Sequence, residues 1–142
     1  MTSISETLNS DIYKRIRLPL LEADTMPTEC YTSSDFYNLE IKKIFHKVWN
    51  FVGRADLVPE TGNYYAFDFA DVPILIVRGD DNKIRAFANS CRHRGAKIAS
   101  GEGNCNAFSC PYHGWTYSLD GHLKAATYMD RTKGFNKSDY GL

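Results

Sequence analysis

The chain has 142 residues, 43% hydrophobic and 13% aromatic, enough apolar material for one folded domain and too much for a disordered one. Seventeen Lys and Arg balance seventeen Asp and Glu without a basic stripe or charge run, so nucleic acid and anionic membrane are not expected partners. No apolar run approaches the ~20 residues of a membrane span, and Met1 to Asp11 lacks a basic-then-apolar secretory signal, so a cytoplasmic chain is expected.

Met1 to Tyr31 is polar and mixed. Leu8, Ile12 and Ile16 recur every four residues and suggest a short helix within Ser5 to Arg17, before Pro19 and Pro27 interrupt regular structure. The strongest helix pattern spans Thr32 to Val48. Thr32, Ser33 or Ser34 can cap it, Asp35 suits its positive end, and Lys42, Lys43 and Lys47 suit its negative end. Phe36, Leu39, Ile41, Ile44, Phe45 and Val48 form its apolar stripe. His46 stands there alone, with nothing nearby to complete a site.

From Trp49 the period becomes that of strands, with Trp49 to Val52 leading into Gly53. Tyr65, Phe67 and Phe69 alternate with Tyr64, Ala66 and Asp68 on a second strand. Pro73 to Val77 is continuously apolar, as for a strand buried on both faces. Gly79 to Asn82 is a turn, and Lys83 to Asn89 returns from it. Gly101 to Asn104 reads as another turn. Cys105 to Ser109 and Trp115 to Leu119 read as short strands, and Asp120-Gly121 as a two-residue hairpin turn. After Ala126 the pattern thins. The reading is a mainly β, antiparallel fold: an arm and leader helix over 1–48, then a β domain over 49–142.

Two loops of this meander carry the chemistry. Cys91 and His93 form a Cys-x-His pair; after sixteen intervening residues Cys110 and His113 form a Cys-x-x-His pair. Four cysteines allow two disulfides in a secreted protein, but Cys alternating with His in a reducing compartment reads as metal binding. One thiolate and one imidazole per loop is the donor set of a Rieske 2Fe-2S centre, in which two Cys hold one iron and two His the other. Neutral imidazoles leave the cluster less negative than four thiolates, which places such centres at roughly −150 to +300 mV. Protonatable imidazoles also couple reduction to proton uptake. A zinc site of Cys₂His₂ type has the same residues, but zinc modules usually pair Cys with Cys and His with His. Gly95 and Gly114 follow the two His loops and permit close backbone approach, with amides available to the sulfur atoms. Trp115 and Tyr117 either shield the site or fill the core. Arg92, Arg94 and Lys97 are either solvated or face an acidic donor. Cys105 is expected buried and His122 exposed.

Cys91-Arg-His-Arg-Gly95 with Cys110-Pro-Tyr-His-Gly-Trp115 resembles the N-terminal part of the large subunit of Rieske non-haem iron oxygenases, the aromatic-ring-hydroxylating type. Phe36 to Trp49, Gly53-Arg54, Pro59, Gly62 and the Pro73 to Arg78 strand fit the same pattern, so the resemblance covers about Pro27 to Leu142. It implies a Rieske 2Fe-2S β-sandwich with a cluster-binding subdomain after the N-terminal helix. It implies Cys91, His93, Cys110 and His113 as ligands of one 2Fe-2S cluster, a reductase or ferredoxin as electron donor, and an oligomeric enzyme. Respiratory Rieske proteins carry a further Cys in each loop and a Ser after the second His-Gly. Here Ala96, Tyr112 and Trp115 stand in those places, which implies a potential toward the low end of the range. The family's oxygen chemistry occurs at a mononuclear Fe(II) held by two His and a carboxylate in a C-terminal domain. His46 and His122 form no such triad, so that domain is expected to be missing and the Rieske sheet to continue past Leu142. The alternatives are a stand-alone Rieske ferredoxin and, behind it, a zinc-stabilised interaction module.

Overall fold

The computed structural model describes residues 11, 13–129 and 131–142, which fall into two units divided between Phe51 and Val52. The helix expected within Ser5 to Arg17 lies largely outside the described residues; Arg15–Arg17 form a 3-10 turn.

In the first unit the single helix expected from Thr32 to Val48 is broken. A one-turn helix, Glu29–Thr32, precedes a second, Ser34–Glu40, and Ser33 between them is extended. Ser33 is the cap: its hydroxyl accepts the Phe36 N–H at 3.3 Å, satisfying a donor that the first turn leaves free. The last turn widens into a π-helix, Ile41–Phe45, where His46 N–H reaches the Ile41 carbonyl five residues back. Asn50 then closes the end, donating to the carbonyls of Phe45 and Val48. The extra residue in the π turn shifts the apolar stripe out of phase. Ile41 is buried, whereas Ile44 and Val48 are exposed.

The second unit is two antiparallel sheets. Strands β1 (Asn63–Phe69), β2 (Val72–Arg78), β3 (Ile84–Ala88) and β4 (Gly101–Asn104) form a sheet of order β3-β2-β1-β4. Strands β5 (Phe108–Ser109), β6 (Thr116–Tyr117) and β7 (Leu123–Ala125) form the other, in chain order. The expected strand at Trp49 to Val52 does not form. That stretch is irregular and a 3-10 turn at Ala55–Leu57 precedes β1.

The core lies between the sheets. Ala66, Leu75 and Val77 come from the first sheet, and Phe108, Tyr117 and Leu123 from the second, with Trp115 and Leu119 beside them. In β2, Leu75, Ile76 and Val77 are all buried, as a strand covered on both faces requires. In β1 the core face is the less aromatic one, carrying Ala66 with Tyr64 packed against it. Tyr65 and Phe67 stack on the opposite face, with ring centroids 5.2 Å apart.

Gly101 to Asn104 is not a turn but edge strand β4, paired with β1 from Asn63↔Asn104 to Ala66↔Gly101. Glycine is required there by contact: a Cβ on Gly103 would lie 2.9–3.0 Å from the Tyr64 ring. The β5 strand begins only at Phe108, later than the Cys105 start expected. The hairpin at Asp120-Gly121 has three loop residues instead of two. Ser118 N–H donates to His122 O, Gly121 N–H donates to Ser118 O, and Gly121 takes φ +91°. Gly79–Lys83 uses the same turn, with Asn82 at φ 61°. The tail is not featureless either. Phe135 and Tyr140 stack on each other and both meet the Trp115 ring edge-on at 5.7 Å, while Leu142 N–H bonds Gly121 O.

Candidate metal centre

The two ligand loops share one backbone frame. In the first, Cys91 N–H donates to Ala96 O at 2.8 Å and Gly95 N–H donates back to Cys91 O at 2.8 Å. In the second, Cys110 N–H donates to Trp115 O at 2.8 Å and Gly114 N–H donates back to Cys110 O at 2.9 Å. Each frame closes through a glycine in the left-handed region, Gly95 at φ 72° and Gly114 at φ 71°. Space does not demand glycine, since an added Cβ would meet nothing nearer than 3.8 Å and 3.4 Å respectively; the backbone angle does. The glycine amides are used on cysteine carbonyls, so they are not donors to sulfur as the sequence reading allowed.

Within these frames the loops differ by one residue. His93 follows its cysteine by two and His113 by three. The offset brings the imidazoles together edge to face, with centroids 4.7 Å apart. Cys91 and Cys110 are both 3% exposed and belong to the same core cluster. The two histidines thus meet, and the two cysteines lie in one buried core cluster.

Each imidazole has an aromatic partner. Trp115 lies parallel to His93, at 4.8 Å and 9°, and Tyr112 stacks on His113 at 3.8 Å. Both Nδ1 atoms, of His93 and of His113, are buried without a hydrogen-bond partner. A buried acceptor left unpaired costs roughly 1–3 kcal/mol, so these two atoms ask for a ligand. Desolvation, then the charges of His113 and Arg94, lowers the His93 pKa, favouring the neutral imidazole that binds metal. Among the described residues no three His, Cys, Asp or Glu side chains converge on a single ion. A tetrahedral zinc needs four donors about one point, whereas a binuclear cluster needs them in separated pairs. The donor set fits a 2Fe-2S group.

Tyr117, fully buried on β6, is the polar side chain that reaches a cysteine of the site. Its hydroxyl lies 3.2 Å from Cys91 Sγ and accepts the Arg92 N–H at 3.1 Å. Burial first, then the Cys91 sulfur, raises its pKa, so it stays a protonated phenol, and either it or the Cys91 thiol can donate between them. Trp115 is both core filler and shield for His93. Arg92 and Arg94 are exposed, and Lys97 pairs with Asp68 at 2.8 Å. Cys105 is only half-buried, short of the burial expected, and desolvation raises its thiol pKa. His122 is exposed, as expected, and pairs with Asp120 at 3.1 Å. The sequence reading passed over Asn89, whose buried amide stitches the first loop to the chain beyond it.

Comparison with known proteins agrees with this geometry. The Rieske 2Fe-2S domain family matches residues 48–136, and the chain belongs to that family. It is 38% identical over 138 residues to the chloroplastic choline monooxygenase of Arabidopsis thaliana, covering 94% of this chain and 33% of that protein. It is 35% identical over 129 residues to the biphenyl dioxygenase α subunit of Paraburkholderia xenovorans strain LB400, covering 84% and 28%. Among solved structures, the quaternary ammonium Rieske monooxygenase CntA with L-carnitine matches at TM-score 0.77 and 38% identity, over 84% of this chain and 34% of that one. The chain thus spans about a third of the length of these oxygenases and corresponds to their Rieske part.

Proposed function

We propose that Cys91 and Cys110 hold one iron of a single Rieske 2Fe-2S cluster and His93 and His113 the other, through Nδ1. The observation that carries this is the pair of matched loops presenting two buried thiols and two imidazoles with unpartnered Nδ1 atoms. Bound there, the cluster supplies one-electron chemistry, accepting from a reductase or ferredoxin and donating toward the mononuclear iron of an oxygenase. The protein's own part is to hold and screen. The two frames fix the cysteines, Trp115 and Tyr112 fix the imidazole planes, and Tyr117 donates to Cys91 Sγ.

The oxygenase reading rests on relatives of both kinds, quaternary ammonium monooxygenases and ring-hydroxylating dioxygenases. One solved relative is described as transferring electrons between subunits, which supports an oligomeric enzyme here. No helix among the described residues is long and apolar enough to cross a membrane, and the four cysteines are unpaired, in keeping with a reducing, cytoplasmic setting. Anaerobic reconstitution with iron and sulfide tests the assignment. A brown protein with an electron paramagnetic resonance signal on one-electron reduction is expected, lost in Cys91→Ser and in Cys110→Ser. A chain that takes zinc and refuses iron and sulfide would overturn it.

A further inference from the structure

The two loops match inside but not at their bases. The second is closed by a ladder, Phe108↔Tyr117 and Ser109↔Thr116, the two strands running straight into it. The first cannot be closed that way. It leaves from β3 and returns to β4, and these strands lie on opposite edges of a four-stranded sheet, with β2 and β1 between them. Residues 95–100, which make that crossing, belong to no strand. Yet both loops must present their ligands with equal accuracy, since each supplies one cysteine and one histidine.

One side chain occupies the place of the missing ladder. Asn89 is 2% exposed. Its Oδ1 accepts the N–H of Ile98 at 3.0 Å and of Ala99 at 3.1 Å, and its Nδ2 donates to Ala99 O at 2.7 Å. Its own backbone N–H donates to Pro73 O at 2.8 Å, tying the same residue to β2. A primary amide carries the same groups as a peptide, a carbonyl with two lone pairs and an N–H. Asn89 therefore pairs with the returning chain as a strand neighbour would. Aspartate lacks the donor and serine lacks the reach.

We infer that Asn89 is the positioning residue of the first cluster loop, a side-chain substitute for the strand ladder that closes the second loop. The inference rests on the cluster assignment above. It acts through Cys91 and His93: release of Ile98 and Ala99 lets the loop open at its base while its internal frame persists. Because each loop contributes a ligand to each iron, opening one loop loosens both irons.

The test uses the full chain reconstituted with iron and sulfide, in wild type, Asn89→Ala, Asn89→Asp and Asn104→Ala. The last removes an exposed amide bond to Thr61 O at the end of β4, outside both ligand loops, and serves as control. The readouts are bleaching of the visible absorption by the ferrous chelator bathophenanthroline, the resonance line shape of the reduced protein, and hydrogen exchange of the Ile98 and Ala99 amides against Gly114. Asn89→Ala leaves the buried Ile98 N–H, the half-buried Ala99 N–H and the Ala99 carbonyl unpaired, so bleaching at least ~10-fold faster than wild type is expected. Its line shape should broaden, and exchange should rise at Ile98 and Ala99 but not at Gly114. Asn89→Asp keeps the two accepting bonds and should fall between, and it carries the test if the alanine variant does not fold. Asn104→Ala should match wild type. Asn89 variants with wild-type bleaching and line shape would overturn the inference, as would equal loss in Asn104→Ala. A wild-type chain that takes up no cluster overturns the cluster assignment itself and this inference with it.

Discussion

The first and second ligand loops solve one problem with different means. Both frame a cysteine between two backbone hydrogen bonds and close on a left-handed glycine. Below that frame, the second loop stands on paired strands, and the first on a single buried amide. Around it, the first loop's imidazole lies on Trp115, deep in the core, and the second's on Tyr112, which is exposed. The comparison teaches that ligand geometry is specified locally, while support for it comes from whatever the topology leaves available.

The largest way to break the comparison is at Trp115. It is 1% exposed, stacks on His93 and carries Phe135 and Tyr140 on its edges. Trp115→Ala should cost about 3–5 kcal/mol in denaturant unfolding and should perturb the His93 signals more than those of His113. Equal perturbation of both histidines would show that Trp115 supports the core alone.

Next comes the glycine pair, which tests whether the two frames are equivalent. Gly95→Ala and Gly114→Ala each force an L side chain to positive φ, at about 1–2 kcal/mol. The two should cost about the same, because an added Cβ would make only ordinary contacts, 3.4 Å from Thr127 Oγ1 and 3.8 Å from Ser90 Oγ. Paired melting curves decide; a large effect at one and none at the other would dissolve the symmetry.

A smaller difference follows from Tyr117, which reaches a sulfur on the first loop only. A donor to sulfur stabilises the reduced, more electron-rich cluster. Tyr117→Phe should lower the potential by on the order of tens of mV in a potentiometric titration. An unchanged or raised potential would remove that hydrogen bond from the account.

The smallest effect lies in the turn beyond the second loop. Ser118, then His122, pulls the Asp120 pKa down to about 2 from its ordinary 3.8. A depressed carboxylate stabilises the fold above its unfolded pKa and loses that contribution as pH falls through the folded value. The wild-type chain should therefore lose stability between about pH 4 and pH 2, and Asp120→Asn should lose less. The side chain is largely exposed, so the effect is modest.

How much of this was legible in the sequence follows the same local-versus-global line. The family carried by the Cys-x-His and Cys-x-x-His loops, the β meander and the places of the two hairpin turns were readable, because spacing and turn residues are local signals. The strand Gly101–Asn104 was not: two glycines in four residues spell a turn, and only the Tyr64 ring across the ladder explains Gly103. Ala70-Asp71 turns between β1 and β2 at φ 47° and 63° without glycine or asparagine, so Asp71 alone was its sequence signal. The π turn at Ile41–Phe45 hid inside an unbroken helical pattern. Phe135 and Tyr140 sit in a polar stretch, where two aromatics carry no period. Asn89, just before Ser90-Cys91, reads as an ordinary loop residue until the sheet order shows that β3 and β4 cannot pair.

The central claim is that both loops place an imidazole on iron through Nδ1. Electron–nuclear double resonance on the reduced, reconstituted chain, with ¹⁵N-histidine incorporated, tests this most directly. The account predicts couplings from two histidine nitrogens, one lost in His93→Cys and the other in His113→Cys. A reduced cluster without histidine nitrogen couplings, or with couplings that survive both substitutions, would contradict it.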